Sequence, residues 1–459
     1  MAPERFDLIV LGAGSAAREA ATRAAAEHGA SVAVIERERW GGQCPNVACK
    51  PTKQYTAAAE LLRDLGTAAA ELGIDAGPAR FDLARLQARK DRLVGTQETW
   101  RSRFVDAGWE AIDGEGSFAD ARTVRVGERT LTSERILVAT GSRTAVPPIT
   151  GLETIPWIDH IQALELTELP ESTLVLGGGA VGLELAQSFA RFGSRVTLVE
   201  ANERIAIRWD AEAAAEVAAA LEDDGIDVVT GTYVTAVSAS GSRIAATLTP
   251  RQGGIARTIE VACLLVASGR APNVEALALE DAGVEHGQAG ILVDERLRTN
   301  VPGIWAAGDV TATIQLTPVA ALQAQVAVAD MFGDGARTID YAVIPTSIFT
   351  DPELASVGLS ENAAREQGFE VETSVYANAD LLKPYYLDAP RGLLKLVYER
   401  GSRRLLGLHA VVRGGGELVQ GYAVALKLGA TVDDIALGHY VFPSYGEGIH
   451  YAAEAVLAR

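Results

Sequence analysis

The run Phe6-Asp7-Leu8-Ile9-Val10-Leu11-Gly12-Ala13-Gly14-Ser15-Ala16-Ala17 passes from an apolar stretch through a glycine turn into an alanine-rich segment ending near His28. Phe6 to Leu11 reads as a buried parallel strand, and the alanine-rich segment reads as a helix. Ser31 to Ile35 is a second apolar strand, ending at Glu36. This is a βαβ unit with a phosphate-binding turn. Gly12 permits the tight turn, Gly14 lets the backbone approach a pyrophosphate, and Ala17 stands at the third small position. The helix N-terminus faces the phosphate, and Glu36 can accept from a ribose hydroxyl.

The same pattern returns further on. Thr173 to Leu176 is a strand, Gly177-Gly178-Gly179-Ala180-Val181-Gly182 opens a helix, and Arg195 to Val199 is a strand ending at Glu200. Gly12 and Gly177 are 165 positions apart, and Glu36 and Glu200 are 164 apart, so the units are internally equivalent. Two dinucleotide folds in one chain imply two dinucleotides and electron transfer between them. Glu200 favours an unphosphorylated ribose, because a 2′-phosphate would meet a carboxylate; Arg204 and Arg208 follow and can accommodate one. NADH is therefore expected ahead of NADPH.

Between the two units lies Gly41-Gly42-Gln43-Cys44-Pro45-Asn46-Val47-Ala48-Cys49-Lys50-Pro51-Thr52-Lys53. It holds two of the three cysteines in 459 residues. So few cysteines build no disulfide scaffold, and a close pair in a reducing compartment is more often catalytic or metal-binding than structural. A closed zinc site needs four ligands, and the six histidines show no matching spacing, so no metal centre is expected. Cycling between dithiol and disulfide remains the leading reading, with a structural disulfide as its alternative. A thiolate is the reactive form, favoured by a helix N-terminus and by cations. Cys49 stands where a helix should begin, with Lys50 and Lys53 beside it. The third thiol, Cys263, lies inside the apolar run Val261 to Ala267 and reads as a small core residue.

Other stretches complete the picture. Phe81 to Phe104 has apolar residues at roughly helical spacing and is expected to form one long amphipathic helix. A strand ending in Ala139-Thr140-Gly141-Ser142 suggests backbone pressed close to a ligand, Ser268-Gly269-Arg270 follows another buried strand, and a third ends in Ala307-Gly308-Asp309, with Asp309 placed to bond a polyol chain. Thr317 to Phe332 reads as a helix with Pro318 in its first turn. After Tyr341 aromatics and alternating strands mark a separate α+β domain. The net charge of -19 disfavours phosphate backbones and anionic lipid, so neither nucleic-acid nor membrane binding is expected. Met1 to Arg5 shows no signal-peptide pattern, and no apolar run reaches the roughly 18 residues that span a bilayer. A cytoplasmic location is expected.

With these residues in view, the chain resembles the FAD-dependent pyridine nucleotide–disulfide oxidoreductases (class I), the family of mercuric reductase, dihydrolipoamide dehydrogenase and glutathione reductase. The Cys-x4-Cys stretch with Pro51-Thr52-Lys53 is the most specific motif. The resemblance implies an α/β fold with two Rossmann-like dinucleotide-binding domains and a C-terminal α+β dimerisation domain. The expected boundaries are 1–150 for the FAD domain, 151–275 for the NAD(P)H domain, 276–340 for a return to the FAD domain and 341–459 for the interface domain. It implies a homodimer whose active site is shared between subunits. FAD is expected on Gly12, Gly14, Ala17, Glu36, Gly42, Lys53, Thr140, Gly141, Ser142, Gly308 and Asp309. NADH or NADPH is expected on Gly177, Gly179, Gly182, Glu200 and Gly269. Cys49 is implied to sit against the flavin and Cys44 to face the acceptor, with Lys53 paired to Glu184.

One departure matters. The disulfide-reducing branch carries His-Pro-Thr-x-x-Glu near its end, and that His–Glu pair moves protons. The matching run here is Phe442-Pro443-Ser444-Tyr445-Gly446-Glu447. Phenylalanine carries no proton. Tyr445 is the first candidate replacement, with an aromatic wall as the alternative; His439 and His450 are others, and Tyr385 and Tyr386 are candidate pocket walls. Mercuric reductase also lacks that histidine but has a C-terminal cysteine pair, and this chain has no cysteine after Cys263. The expected catalytic set is Cys44, Cys49, Lys53, Glu184, Tyr445 and Glu447. The expected acceptor is a metal ion, a metal–thiolate adduct or an unusual small disulfide. Alternatives are a dihydrolipoamide dehydrogenase-type subunit of an acyl-transfer complex, a flavin-only quinone reductase or diaphorase, and a redox sensor.

Overall fold

The computed structural model describes residues 3–311, 313–333 and 335–458. The chain forms two compact units. The first takes the residues up to Pro51, then Ala88–Ala145 and Gly269–Ile339; the second takes Thr52–Gln87, Val146–Ser268 and the residues from Asp340 onward.

In the first unit a five-stranded parallel sheet runs in the order Ile304–Ala306, Ile136–Val138, Leu8–Leu11, Val32–Glu36, Glu110–Asp113. Every residue of Leu8–Leu11 is buried, as a continuous apolar strand in a covered sheet must be. Leu11 pairs with both Ile35 and Val138, so Gly12, Glu36 and Ala139 all emerge at one edge, where doubly wound sheets bind ligands. Gly12 has φ +103°, and a Cβ there would stand 2.3 Å from the Ala139 carbonyl oxygen; only glycine fits. The helices Ser15–His28 and Thr317–Phe332 share one core through Ala16, Ala20, Ala24, Ala320, Ala324 and Ala327. Small side chains let the two backbones come close. A Cβ on Gly308 would lie 3.5 Å from that of Ala320 and 3.6 Å from that of Ala16.

The single helix expected over Phe81–Phe104 is two, Leu83–Val94 and Gln97–Asp106. Gly95, at φ +75°, ends the first. Thr96 then caps the second, its side chain accepting from the Thr99 amide. The apolar period runs on across a break that Gly95 and Thr96 impose.

In the second unit a parallel sheet runs Asp227–Val229, Arg195–Val199, Ser172–Leu176, Cys263–Val266. Its glycine turn repeats the first unit's geometry. Gly177 has φ +116°, and a Cβ there would meet the Ala267 carbonyl at 2.4 Å. The apolar run Val261 to Ala267 is divided: Arg257–Val261 closes a three-stranded antiparallel sheet, and Cys263–Val266 joins the parallel one. Cys263 is buried in that strand, and burial pushes its thiol up to about 11. A five-stranded antiparallel sheet, Thr346–Ile348, Glu353–Gly358, Leu405–Val412, Leu393–Glu399, Val371–Ala377, carries the helices Gly415–Lys427 and Gly446–Leu457. Ile348, Leu354 and Val411 pack into the same core as Leu185 and Phe189 of the second dinucleotide fold. Among the described residues, no helix is long and apolar enough to cross a membrane.

Candidate functional site

The cysteine segment is shaped by its glycines and one asparagine. Gly41 and Gly42 have φ +87° and +74°. A Cβ on Gly42 would lie 2.6 Å from the Gly14 Cα, so the segment is pressed against the phosphate-binding turn. Asn46, between the cysteines and buried, donates to the carbonyls of Trp40 (2.9 Å) and Gly42 (2.7 Å) and accepts from Gln97 (3.0 Å). A short helical turn, Gln43–Asn46, carries Cys44. Cys49 is the first residue of the 18-residue helix Cys49–Gly66. Its Sγ lies 3.6 Å from Oγ1 of Thr317, itself the first residue of Thr317–Phe332. Two helix N-termini therefore converge on one half-buried sulfur, an arrangement that favours negative charge there. Lys50, expected beside the sulfur, has its ammonium over the Trp100 ring at 5.1 Å.

The first glycine turn fits the diphosphate of FAD. Gly14 is the N-cap of Ser15–His28 and supplies no side-chain cap, so the first-turn amides are left to a ligand. Glu36 accepts from the Ala13 amide at 2.9 Å and from the Glu38 and Arg39 amides at 2.8 and 3.0 Å, which fixes its side chain in the lining of a cavity of about 110 Å³. Gly12, Glu36 and Thr140 line that cavity. Beyond it, Ser142 donates to Asp309 at 2.6 Å and accepts from Arg270 at 2.7 Å. Gln43 donates to the Ser142 carbonyl and accepts from Arg270, tying the residue before Cys44 to the same network. The Gly308 amide donates to the fully buried Gln323 at 2.6 Å. Sequence reasoning passed over Gln43, Arg270, Thr317 and Gln323. Their only signals were adjacency to Cys44, to Gly269 and to Pro318, and one of two glutamines in an alanine-rich helix.

In the second unit Lys53 and Glu184 form the expected pair, Nζ to Oε2 at 2.7 Å. The Glu184 side chain is 4 % exposed, and its other oxygen accepts from the Phe349 amide at 3.0 Å. The Lys53 ammonium also sits 4.4 Å from the centre of the Phe349 ring. Gly179 is the N-cap of Ala180–Phe192, again with no side-chain cap. A Cβ on Gly182 would lie 1.9 Å from the Gly177 carbonyl oxygen, so the third glycine of this turn is obligatory. Glu200 accepts from the Gly178 amide at 2.6 Å and from Asn202 at 2.7 Å (backbone) and 2.6 Å (side chain). The Arg204 guanidinium donates to the carbonyls of Ile205, Ala206, Ile207 and Trp209. Its burial lowers its pKa from the ordinary arginine value.

The C-terminal residues divide. Phe442 is 68 % exposed on this chain, and Tyr385 is exposed as well. Glu447 is buried, accepting from the Ser444 amide at 2.6 Å and from the Tyr451 hydroxyl at 3.2 Å. Tyr445 is packed in the core of this domain, with Lys383 4.7 Å from its ring centre. Burial pushes its hydroxyl up to about 12. His439 is exposed, and His450 pairs with Glu454 at 3.4 Å.

The pyridine nucleotide-disulphide oxidoreductase family matches residues 6–324, and the dimerisation domain of the same family matches residues 344–453. A mercuric reductase of Streptomyces lividans is 38 % identical over 98 % of this chain and 96 % of its own length. A dihydrolipoyl dehydrogenase of Thermus scotoductus is 36 % identical over 98 % of this chain and 97 % of its own. The Cu(II) complex of the HOCl-induced flavoprotein disulfide reductase RclA from Escherichia coli superposes with a TM-score of 0.87, at 28 % identity, over 99 % of this chain and 100 % of that one. With both family domains matched, two glycine turns and an acid after each, this chain belongs to the class I pyridine nucleotide-disulphide oxidoreductases, flavoprotein enzymes that pass hydride from NAD(P)H by way of FAD to a redox-active disulfide and on to an acceptor, and that dimerise through the C-terminal domain.

Proposed function

We propose that this chain reduces a thiophilic metal ion with electrons drawn from NADH through a Cys44–Cys49 disulfide. One observation carries the reading. Phe442 stands in the proton-shuttle position, and neither Tyr445, packed and weakly acidic, nor Glu447, held by Ser444 and Tyr451, is placed to replace a histidine. An acceptor needing little proton delivery suits such a site. A metal ion qualifies: each dithiol gives up two electrons, both to one Hg(II) or one each to two Cu(II), the S–S bond re-forms, and two protons leave for solvent. Names among the relatives and neighbours, mercuric reductase and a Cu(II) complex, point to the same class.

Bound FAD supplies two-electron chemistry between nicotinamide and sulfur. Gly12, Gly14, Ala17, Glu36, Gly42, Lys53, Thr140, Gly141, Ser142, Gly308 and Asp309 would hold it. Gly177, Gly179, Gly182, Glu200 and Gly269 would hold the nicotinamide coenzyme. For that coenzyme NADH is the reading. Glu200 offers a fixed carboxylate to the ribose, and Arg204 is spent on four carbonyls rather than turned toward a 2′-phosphate. A cytoplasmic location fits a cysteine pair that must return to the dithiol.

The test is an anaerobic titration followed by an acceptor panel. One equivalent of NADH should give a two-electron form with long-wavelength thiolate-to-flavin absorbance. Turnover should then be fast with Hg(II) or Cu(II) and slow with lipoamide or glutathione disulfide. NADPH should show a kcat/KM lower by roughly 10-fold or more, because like charges disfavour a partner. Efficient lipoamide turnover would remove the proposal.

Thr317 gives a second expected result. Thr317→Val removes the hydroxyl facing Cys49, and a hydrogen bond to a charged group is worth about 1.5–3 kcal/mol. The long-wavelength band of the two-electron form should fade at neutral pH and recover in alkali. A band of unchanged pH dependence would show that the hydroxyl does not support the thiolate.

A further inference from the structure

The loop that follows Glu200 is held at both ends, and both ends lie in the second unit. At the first end the Gly178 amide donates to Glu200 at 2.6 Å, and the Ala206 amide donates back to the Gly178 carbonyl at 2.8 Å. The loop packs on the glycine turn itself: a Cβ on Gly178 would stand 3.0 Å from Cγ2 of Ile205. Ala206 has φ +46°, a left-handed backbone that a residue with a side chain holds only where its surroundings impose it. The Trp209 amide donates to the Ala206 carbonyl at 2.9 Å, and Asp210 follows. Asp210 is the far end. Its carboxylate caps the helix Ala211–Asp223, accepting from the Glu212 amide at 3.1 Å. Lys395 reaches it from Leu393–Glu399 of the C-terminal sheet, with Nζ 3.1 Å from each carboxylate oxygen and both side chains 2 % exposed. The same ammonium pairs with Glu361 (2.9 Å) and Glu212 (3.1 Å). His409, across the ladder from Lys395, is turned to Ser356 and to the Leu359 carbonyl. A buried ion pair holds two elements together no better than apolar side chains of the same volume, so its place at the end of this loop points to position rather than strength.

We propose that Lys395 is a positioning residue for the pyridine nucleotide: from the C-terminal domain it sets the loop 201–210, and through it the glycine turn and the Glu200 carboxylate. The inference rests on the reading that Gly177, Gly179, Gly182 and Glu200 hold that coenzyme. Each link is one contact. Lys395 holds Asp210, one peptide joins Asp210 to Trp209, Trp209 bonds Ala206, Ala206 bonds Gly178, and Gly178 bonds Glu200. Arg204 stiffens the loop from within, through the carbonyls of Ile205 to Trp209; Lys395 fixes where the stiffened loop stands. The helix after Asp210 shares the anchorage, since Glu216 accepts from the Gly392 amide at 3.1 Å and Asp223 from Arg391 at 2.6 Å. Lys395 acts through the loop, so its loss should weaken coenzyme binding and leave the step from bound coenzyme unchanged. The domain that forms the dimer thereby tunes coenzyme affinity.

The experiment takes the flavin-loaded dimer. Oxidised NAD is the probe in calorimetry and in amide hydrogen exchange of the peptide 200–210, and NADH in anaerobic stopped flow gives the affinity and limiting rate of flavin reduction. Lys395→Met and Asp210→Asn should each weaken both coenzyme forms by about 10-fold, a common size for coupling between sites. The limiting rate should stay within about 2-fold of wild type, and the peptide should exchange faster before any coenzyme is added. The double variant should lose no more than either single one, because one link cannot be broken twice. Asparagine keeps the helix cap, so Asp210→Asn answers the question even where Lys395→Met folds poorly. Glu361→Gln takes a carboxylate from the same ammonium but leaves the Lys395–Asp210 link, and should bind as wild type. Variants that bind within about 2-fold of wild type, or a Glu361→Gln that weakens as much as they do, overturn the positioning role. If oxidised NAD fails to slow exchange of the peptide in wild type, the coenzyme reading of this glycine turn falls and the inference with it.

Discussion

Cys49→Ser should lower acceptor-dependent NADH oxidation by a factor on the order of 10³ or more, as loss of a catalytic nucleophile does. The position has no substitute in the fold. Cys49 alone heads the helix Cys49–Gly66 and faces Thr317, and Cys263 is buried in a strand with its thiol pushed up to about 11. Cys44→Ser should cost as much in steady state but look different at rest. With no partner to close a disulfide, Cys49 would remain a thiolate in the oxidised protein, and the long-wavelength band should be present before any NADH is added. Both variants should keep their flavin, since Gly12, Gly14 and Glu36 are untouched. Steady-state rates and resting spectra check this together. Activity that survives in both variants would leave the flavin as sole donor and return quinones or oxygen as acceptors.

Phe442→His should raise disulfide reductase activity by about 10-fold or more, since a positioned acid or base contributes roughly 10²–10⁴ where geometry is complete. Phe442 is exposed on its own chain, as a group offered to another surface must be. Glu447, the other half of the family's pair, is already ordered by Ser444 and Tyr451, which limits the gain. The new activity should carry a pH dependence near about 6.5, the ordinary imidazole range, that the parent lacks. Metal-ion turnover should change little. If disulfides are still refused and no new pH limb appears, the pocket's shape, with Tyr385 and Tyr386 as candidate walls, sets the acceptor.

Much of this was legible in the residues. The strand–glycine–helix–strand–acid order is local, and local order survives folding: Gly12 and Gly177 take left-handed backbone against the carbonyls of Ala139 and Ala267. The helix start at Cys49 was also readable, because helix starts are set by short-range signals, and the Lys53–Glu184 pair was implied by the family resemblance. Three things were not. The break at Gly95–Thr96 lay under an unbroken apolar period. Thr317, 268 positions from Cys49, meets the sulfur only once two helices pack through alanines. Tyr445 looked available in a short aromatic run, but its ring is taken by the core of the C-terminal domain, a choice made by long-range packing.

Arg204 carries a consequence for any attempt to re-engineer the coenzyme. Its side chain works as an internal clamp on the loop from Ile205 to Trp209. Withdrawing it toward a phosphorylated ribose would strand several acceptors at once, at roughly 1–3 kcal/mol for each that stays dry. Redesign for the phosphorylated coenzyme should therefore graft a fresh cation onto the preceding residues, leaving the clamp in place.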